Sequence, residues 1–547
     1  MNLGIYLTRA ARSWPDTPAL VSGPRSWTFA ELEADANRLA SALLARGLRP
    51  GDAVASLAWN RGELVVVEFA LYKAGLARVP INARLGRSEI AHILASSQAK
   101  VVLYDAAHRE EASAALDSLG ARDEDNAGVP VVPVVPAIPA VPAGPVVPVV
   151  FDGPTADAEL AYETLLETGG NAPIRTDVAL DDTAVLNYTS GSTGLLKAAV
   201  QTVGNRLANM RKQLMGDPRP RPDTRYLVVG PVTHAAGMPL LACVFAGTTV
   251  HLLPAWDPDA FLATIERERI NATFVVPVML TMLVAHQQTA DYDLSSLTDL
   301  RVGGAPISPA RLREAVAAFG PIVGQGYGLA ETTSVVLSIS AAEIARAIED
   351  DPELLQSCGR PEYDSEVRVV DGQGREVAPG RVGEIVVRGA DCVREYWRAP
   401  ELTAETIRDG WVHTGDLAWM REDGYVFIVD RKKDMIISGG YNIYSSEVET
   451  VLYDHPSVLE ACVVGVPDPR WGEAVKAVVV LRSPAEPETA AEDLAAELIE
   501  FCAGRLDRLK KPRSIDFVLM LPLNRNGKID RKAVRETYWA GAERRVN

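Results

Sequence analysis

Five stretches of the sequence concentrate residue types able to handle phosphate, ribose and a cation. The first is Asn187-Tyr188-Thr189-Ser190-Gly191-Ser192-Thr193-Gly194-Leu195-Leu196-Lys197. Its hydroxyls and glycines let backbone amides and side-chain donors converge on phosphate oxygens, and its lysine balances charge. It is not a Walker A loop, which needs glycine directly before the lysine, where Leu196 stands. Alone, such a Gly/Ser/Thr-rich stretch is more often just a turn. Gly324-Gln325-Gly326-Tyr327-Gly328-Leu329-Ala330-Glu331-Thr332-Thr333 adds an aromatic face for a base and a carboxylate for a cation. Trp411-Val412-His413-Thr414-Gly415-Asp416-Leu417 offers an aspartate suited to accept from vicinal ribose hydroxyls. Asp430-Arg431-Lys432-Lys433-Asp434 leads into Ser438-Gly439-Gly440-Tyr441-Asn442-Ile443-Tyr444, and Asn524-Arg525-Asn526-Gly527-Lys528-Ile529-Asp530 presents a lysine on a tight turn.

The elements that must position these groups follow an alternating pattern. Thr28-Phe29-Ala30-Glu31 is a capping box, and Leu32, Ala36, Leu39, Ala40, Leu43 and Leu44 continue at helical spacing up to Gly47. Strands are expected at Ala53 to Trp59, Lys100 to Tyr104, Ala184 to Thr189, Tyr226 to Val229, Thr249 to Leu253, Ala272 to Val276 and Ile322 to Gln325, with helices such as Gly62 to Lys73 and Asp257 to Arg269 between them. Such alternation indicates parallel α/β layers. Beyond about residue 360 the texture turns to short β segments, and after Lys433 a compact tail carries its own helix and strands. The fold class expected is α/β: a large N-terminal domain (1–433) of layered α/β subdomains plus a β-rich subdomain, and a small mobile α+β C-terminal domain (434–547). One apolar run, Val129 to Val150, is long enough to be counted as a membrane span. Proline at every third position from 130 to 148 forbids a helix and fits polyproline II, so the insertion at 128–150 reads as a stiff spacer.

Composition excludes further classes. The 547 residues carry 55 basic and 72 acidic side chains, a net charge of −17, which disfavours a general nucleic-acid or membrane-surface role. Five widely spaced cysteines with no CxxC pair, and an N-terminus without a signal-peptide pattern, point to reduced thiols and a cytoplasmic location.

Together the five motifs, in this order from Tyr72-Lys73-Ala74-Gly75 to Lys528, resemble the adenylate-forming superfamily of acyl- and aryl-CoA ligases, adenylation domains and luciferases. The resemblance implies ATP, Mg²⁺ and CoA as cofactors. It assigns Thr189, Ser190, Gly191, Ser192, Thr193, Gly194 and Lys197 to the phosphate loop, Gly304 to the cofactor-binding residues, and Tyr327 to the position that stacks on adenine. Glu331 matches the Mg²⁺ carboxylate, Asp416 and Arg431 the ribose site, and Lys528 the catalytic lysine. Lys433 matches the hinge about which the small domain turns, bringing Gly439 and Gly440 to a pantetheine tunnel. His234 matches a catalytic gate to the acyl pocket, whose wall corresponds to Val276, Gly303, Gly328 and Val335, small residues that leave room for a ring or medium chain.

The implied reaction is attack of a carboxylate on the α-phosphorus of ATP, release of pyrophosphate, then displacement of AMP by a thiol. The motifs depart from the family pattern at Ala330, where a threonine hydroxyl is lost, at Leu196 and Ala198 around the loop lysine, and at Ser445, which replaces a proline. An aromatic or other non-amino carboxylic acid is the favoured substrate. No segment with a phosphopantetheine serine follows Lys528, which favours free CoA as acceptor. A separate carrier protein, an amine, or nitrite activation for diazotising an aryl amine remain alternatives, as does a non-catalytic nucleotide-binding regulator.

Overall fold

The computed structural model describes residues 2–124, 146–190, 196–286, 291–333, 335–482, 488–523 and 528–539. Gly191, Ser192, Thr193 and Gly194 of the first motif, Asn524 to Gly527 of the last, and residues 129–145 of the proline-rich stretch lie outside them.

Two large, mostly parallel sheets form the body. The first runs in the order Leu160–Ala161, Val147–Val150, Val101–Tyr104, Ala53–Leu57, Ala77–Ile81, Thr183–Ser190, Leu196–Thr202. Its central strands are continuous apolar runs because helices cover both faces; every residue of Ala53–Leu57 is buried. The helix Gly62–Ala74 is buried along its whole length, as expected of a helix wedged between layers. The second sheet has nine strands, in the order Arg360–Pro361, Val335–Ile339, Val323–Gly328, Asp299–Gly303, Ala272–Val275, Arg225–Val228, Thr249–Leu252, Pro18–Ser22, Arg25–Thr28. The capping box forms as read: Thr28 N–H donates to Glu31 (2.8 Å) and Glu31 N–H to the Thr28 hydroxyl (3.2 Å), opening the helix Phe29–Ala45.

The β texture after residue 360 is a third sheet of Ser365–Val370, Gly383–Gly389, Ile407–Arg408, Trp411–Met420 and Val426–Arg431. Sheet membership then changes within five residues, since Ile436–Ser438 belongs to a fourth sheet with Tyr441–Ile443, Val458–Asp468, Gly472–Leu481 and Ser514–Phe517. On that ground we propose 434–547 as the small domain. It is docked on the body: Arg311, on the helix Pro309–Phe319, donates to the Leu459 carbonyl (3.2 Å), and Arg482 reaches Glu314 (3.3 Å).

One expectation fails at its end. The proline-rich stretch is not a spacer as far as Val150, because Val147–Val150 is a strand paired in parallel with Val101–Tyr104, with Val149 and Val150 buried. Pro148 is tolerated there. Val147 N–H donates to Lys100, so the nitrogen of the next residue faces the opposite side, where pairing with Leu160 begins only at Val149. A variant lacking 129–145 is therefore expected to melt close to the parent. One lacking 129–150 also loses two buried valines, each contributing about 1.5–3 kcal/mol, and should melt many degrees lower by calorimetry.

Candidate active site

Tyr327, Asp416, Arg431 and Lys528 converge where the second and third sheets meet. Tyr327 lies in Val323–Gly328, a strand that runs longer than its apolar start predicts because it pairs antiparallel with Val335–Ile339. Its hydroxyl donates to Asp416 Oδ2 at 2.6 Å. The other oxygen, Oδ1, faces Arg431 Nε at 3.1 Å, since Asp416 and Arg431 are cross-strand partners. Asp416 is 3% exposed, so its charge is compensated by these two groups, while its backbone N–H donates to Thr414 Oγ1 and fixes the Gly415 turn at φ 72°. Burial and the adjacent carboxylate raise the Tyr327 pKa well above its ordinary value, so the phenol stays a donor.

Lys528 enters this site from the small domain. A Cβ built on Gly304 would lie 4.0 Å from Lys528 Cε and 3.8 Å from Val276 Cγ1, so a glycine at φ +86° holds the gap between body and lysine. Burial lowers the Lys528 pKa, the nearby Arg431 lowers it further, and Asp416 opposes both. Arg431, Asp416 and Lys528 thus form one electrostatic unit, in which a carboxylate keeps two cations together.

Glu331 sits just beyond, on a short 3₁₀ turn at Ala330–Thr332. Tyr396 donates its hydroxyl to Glu331 Oε1, and Val393 N–H donates to the Glu331 carbonyl (2.8 Å). Among the described residues no cluster of three or more His, Cys, Asp or Glu could hold a metal by itself. A lone carboxylate with one oxygen anchored fits Mg²⁺, which keeps waters and takes one or two carboxylates plus substrate phosphates. Sequence reasoning missed Tyr396. It carries no motif signature of its own and reaches Glu331 across 65 positions.

Other expected residues are placed differently. Thr189, Ser190 and Lys197 are strand residues of an antiparallel hairpin, with Thr189 opposite Lys197 and Ser190 opposite Leu196. The residues between them lie outside the described residues. Gly303 is small for packing and not to make room for a substrate: a Cβ there would lie 2.7 Å from the Gly326 carbonyl oxygen and 3.2 Å from the Phe274 ring. Val335 likewise abuts Gly326, and Gly328 closes the Tyr327 strand. Gly439 and Gly440, both at positive φ, make the two-residue turn between Ile436–Ser438 and Tyr441–Ile443. The atoms nearest a Cβ on Gly439 belong to Trp471, so this exposed turn rests against another part of the small domain. Lys433 lies between the two sheets, its pKa lowered by burial and by Arg431. Ser445 pins the start of the helix Ser445–Tyr453 by donating its N–H (2.6 Å) and hydroxyl (2.8 Å) to Asp430 Oδ2. His234 is half-buried with Nδ1 2.9 Å from Thr233 Oγ1; desolvation and the Arg78 charge drop its pKa to about 4, so it is neutral near pH 7.

Residues 7–397 match the AMP-binding enzyme family, and residues 447–528 match the AMP-binding enzyme C-terminal domain. The chain belongs to the AMP-binding enzyme family. Its relatives are adenylate-forming ligases. A feruloyl-CoA synthase of Amycolatopsis sp. is 39% identical over 98% of this chain and 99% of its own length. A fatty acid–[acyl-carrier-protein] ligase of Streptomyces coeruleorubidus is 35% identical over 98% of this chain and 96% of its own. Among solved structures, the amide bond synthetase McbA from Marinactinospora thermotolerans superposes with a TM-score of 0.84 at 30% identity, covering 98% of this chain and all of that one (100%). This AMP-binding enzyme is accordingly an AMP-forming ligase of the acid–CoA ligase group, with the layered α/β body and small C-terminal domain of the family. Among the described residues no helix is long and apolar enough to cross a membrane.

Two outcomes are expected. Tyr396→Phe frees Glu331 from its anchor and should raise the Mg²⁺ concentration for half-maximal pyrophosphate release about fivefold or more, as loss of a bond to a charged group does. Arg431→Gln removes a cation beside Lys528. The Lys528 pKa should then rise, and the alkaline limb of the pyrophosphate-release profile, where the ammonium loses its proton, should move to higher pH.

Proposed function

We propose that the enzyme activates a carboxylic acid with ATP to an acyl adenylate, releasing pyrophosphate, and passes the acyl group to the thiol of CoA. The observation that carries this reading is the placement of Lys528, from the small domain, beside Gly304, Arg431 and Asp416 of the body. Attack of a carboxylate on a phosphate brings two anions together, so catalysis is positioning and charge neutralisation. Lys528 bridges the incoming carboxylate and the α-phosphate. Asp416 accepts from the ribose hydroxyls, with Arg431 keeping it ionised and oriented, and the Tyr327 ring covers the base. Thr189, Ser190, Lys197 and the glycines and hydroxyls between them receive the β- and γ-phosphates. Mg²⁺ held at Glu331 would neutralise phosphate charge as pyrophosphate departs.

For the second step the small domain turns about Lys433. That withdraws Lys528 and breaks the contacts of Arg311 and Arg482 across the interface. It presents the Gly439-Gly440 turn to the pantetheine arm, with His234 gating the junction. The acid is aromatic or another non-amino carboxylic acid, as in the feruloyl-CoA synthase relative. A second acceptor class, an amine or a carrier protein, is supported by the likeness to an amide bond synthetase and to a carrier-protein ligase.

Purified protein should release pyrophosphate from ATP with some member of a broad acid panel and give a CoA thioester by mass spectrometry. Absence of release across the panel, with nitrite and amines included, overturns the reading. Lys528→Ala should lower adenylate formation by a hundredfold or more yet spare thioester formation from supplied acyl adenylate. Equal loss of both steps removes the role given to Lys528.

A further inference from the structure

The hinge proposed at Lys433 is bridged by a hydrogen-bonded clasp that the two-step mechanism does not yet use. Asp430 lies at the end of the last body strand, Val426–Arg431, and is 6% exposed. Past the hinge, 15 positions on, Ser445 opens the first helix of the small domain, Ser445–Tyr453, and is 0% exposed. Asp430 Oδ1 accepts the Arg431 N–H at 2.7 Å, while the N–H and the hydroxyl of Ser445 converge on Oδ2. Ser446 adds a second rung by donating its hydroxyl to the Val429 carbonyl. Two consecutive serines of the small domain thus grip two consecutive residues of the body. Burial raises the Asp430 pKa to about 6, with the Arg531 charge and the Ser445 donors opposing. Near pH 7 the acceptor is therefore a buried carboxylate, which makes the stronger, charge-assisted kind of hydrogen bond.

The clasp connects to Lys528 through the interior of the small domain. One turn along the same helix, Glu449 receives both arms of the Arg531 guanidinium, at 2.5 Å and 3.0 Å, and accepts the Val463 N–H at 2.7 Å. Arg531 opens the helix Arg531–Glu536 directly after the Lys528 turn. The path from Asp430 to the lysine thus runs through one helix and one ion pair, so holding Ser445 against the body holds the segment that carries Lys528. A rotation about Lys433 carries Ser445 and Ser446 away from Asp430 and Val429, and must break their bonds.

The helix itself does not need these donors. Proline, which has neither N–H nor hydroxyl, suits the first helical position because its fixed φ is already helical. Tyr444, at φ −90° and ψ 120°, has the extended backbone that a following proline requires. Serine at 445 is therefore explained by its bonds to Asp430. We propose that Asp430, Ser445 and Ser446 are positioning residues, which clasp the small domain in the adenylate-forming arrangement and set how readily it turns for the transfer step. The inference rests on the two-step reading of the enzyme and deepens it.

The test compares Ser445→Pro, Ser445→Ala and Ser445→Thr in the full chain: proline removes both bonds, alanine the hydroxyl alone, threonine neither. Each is combined with Glu314→Cys and Arg482→Cys, which face each other across the interface, and closure of that pair by a short bismaleimide is timed without substrates. Closure should slow tenfold or more with Ser445→Pro, less with Ser445→Ala, and match the parent with Ser445→Thr. Ser445→Ala, which leaves the backbone as it is, decides the matter if Ser445→Pro does not fold. Without the cysteines, single-turnover rates are measured for pyrophosphate release, over an acid panel that includes cinnamate, ferulate, benzoate, hexanoate and octanoate, and for thioester formation from supplied acyl adenylate. The ratio of the first rate to the second should fall tenfold or more with Ser445→Pro and return to the parent value with Ser445→Thr, whereas a merely structural role lowers both together. Equal closure in all three variants, or both half-reactions lowered in proportion, overturns the clasp while leaving acid activation standing. No pyrophosphate release across the panel overturns acid activation, and the crosslinking arm, which needs no substrate, still decides the clasp.

Discussion

The buried carboxylate of Asp416 is the interaction on which the rest of the site depends. It accepts from Tyr327, in the nine-stranded sheet, and faces Arg431, its neighbour in the β-rich sheet, so one side chain joins two sheets. Arg431 ends the last strand of the body, and the chain passes from it through Lys433 into the small domain. The same carboxylate offsets the lowering of the Lys528 pKa by burial and Arg431. The groups proposed as base platform, ribose acceptor, hinge and catalytic ammonium thus all lie around a single negative charge held at 3% exposure. Removing that charge would leave Arg431 and Lys528 as adjacent, partly desolvated cations, an arrangement stable only with a nucleotide between them.

The net charge of −17 does not oppose an anionic substrate, because the relevant field is local. Lys197, Arg431 and Lys528 are few, and each is carried by a separate element. A site assembled from separate elements can be taken apart by moving one of them, and only Lys528 comes from the small domain. Among the described residues its contacts with the body include Arg311 to the Leu459 carbonyl, Arg482 to Glu314 and Ser445 to Asp430, all of them polar. Polar contacts suit the opening that the proposed second step requires better than an apolar seam would.

Much of this was legible in the sequence, because local signals and the final elements agree: the capping box at Thr28, the apolar strands, and the order of the five motifs. Legibility failed where distant chain segments decide. The hydrogen bond between Tyr327 and Asp416 spans 89 positions, and Tyr396 finds Glu331 through a fold no local pattern encodes. Gly303 looked like room for a substrate; the space is claimed by Gly326 and Phe274 from neighbouring strands. Val147–Val150 looked like the end of a proline rod, but a sheet needing one more buried strand outweighed a proline whose nitrogen faces away from the established pairing.

The central claim is that the arrangement with Lys528 in the body's site is the adenylate-forming one, and that it must be abandoned for thioester formation. Its most direct test replaces Glu314 and Arg482 with cysteine and joins them by a short thiol crosslinker, fixing the small domain where it now docks. Acyl adenylate formation should persist at near the uncrosslinked rate in a single turnover, while acyl-CoA formation falls by a hundredfold or more and returns when the crosslink is cleaved. Acyl-CoA formation at an undiminished rate in the crosslinked protein, or loss of adenylate formation alone, would contradict the account.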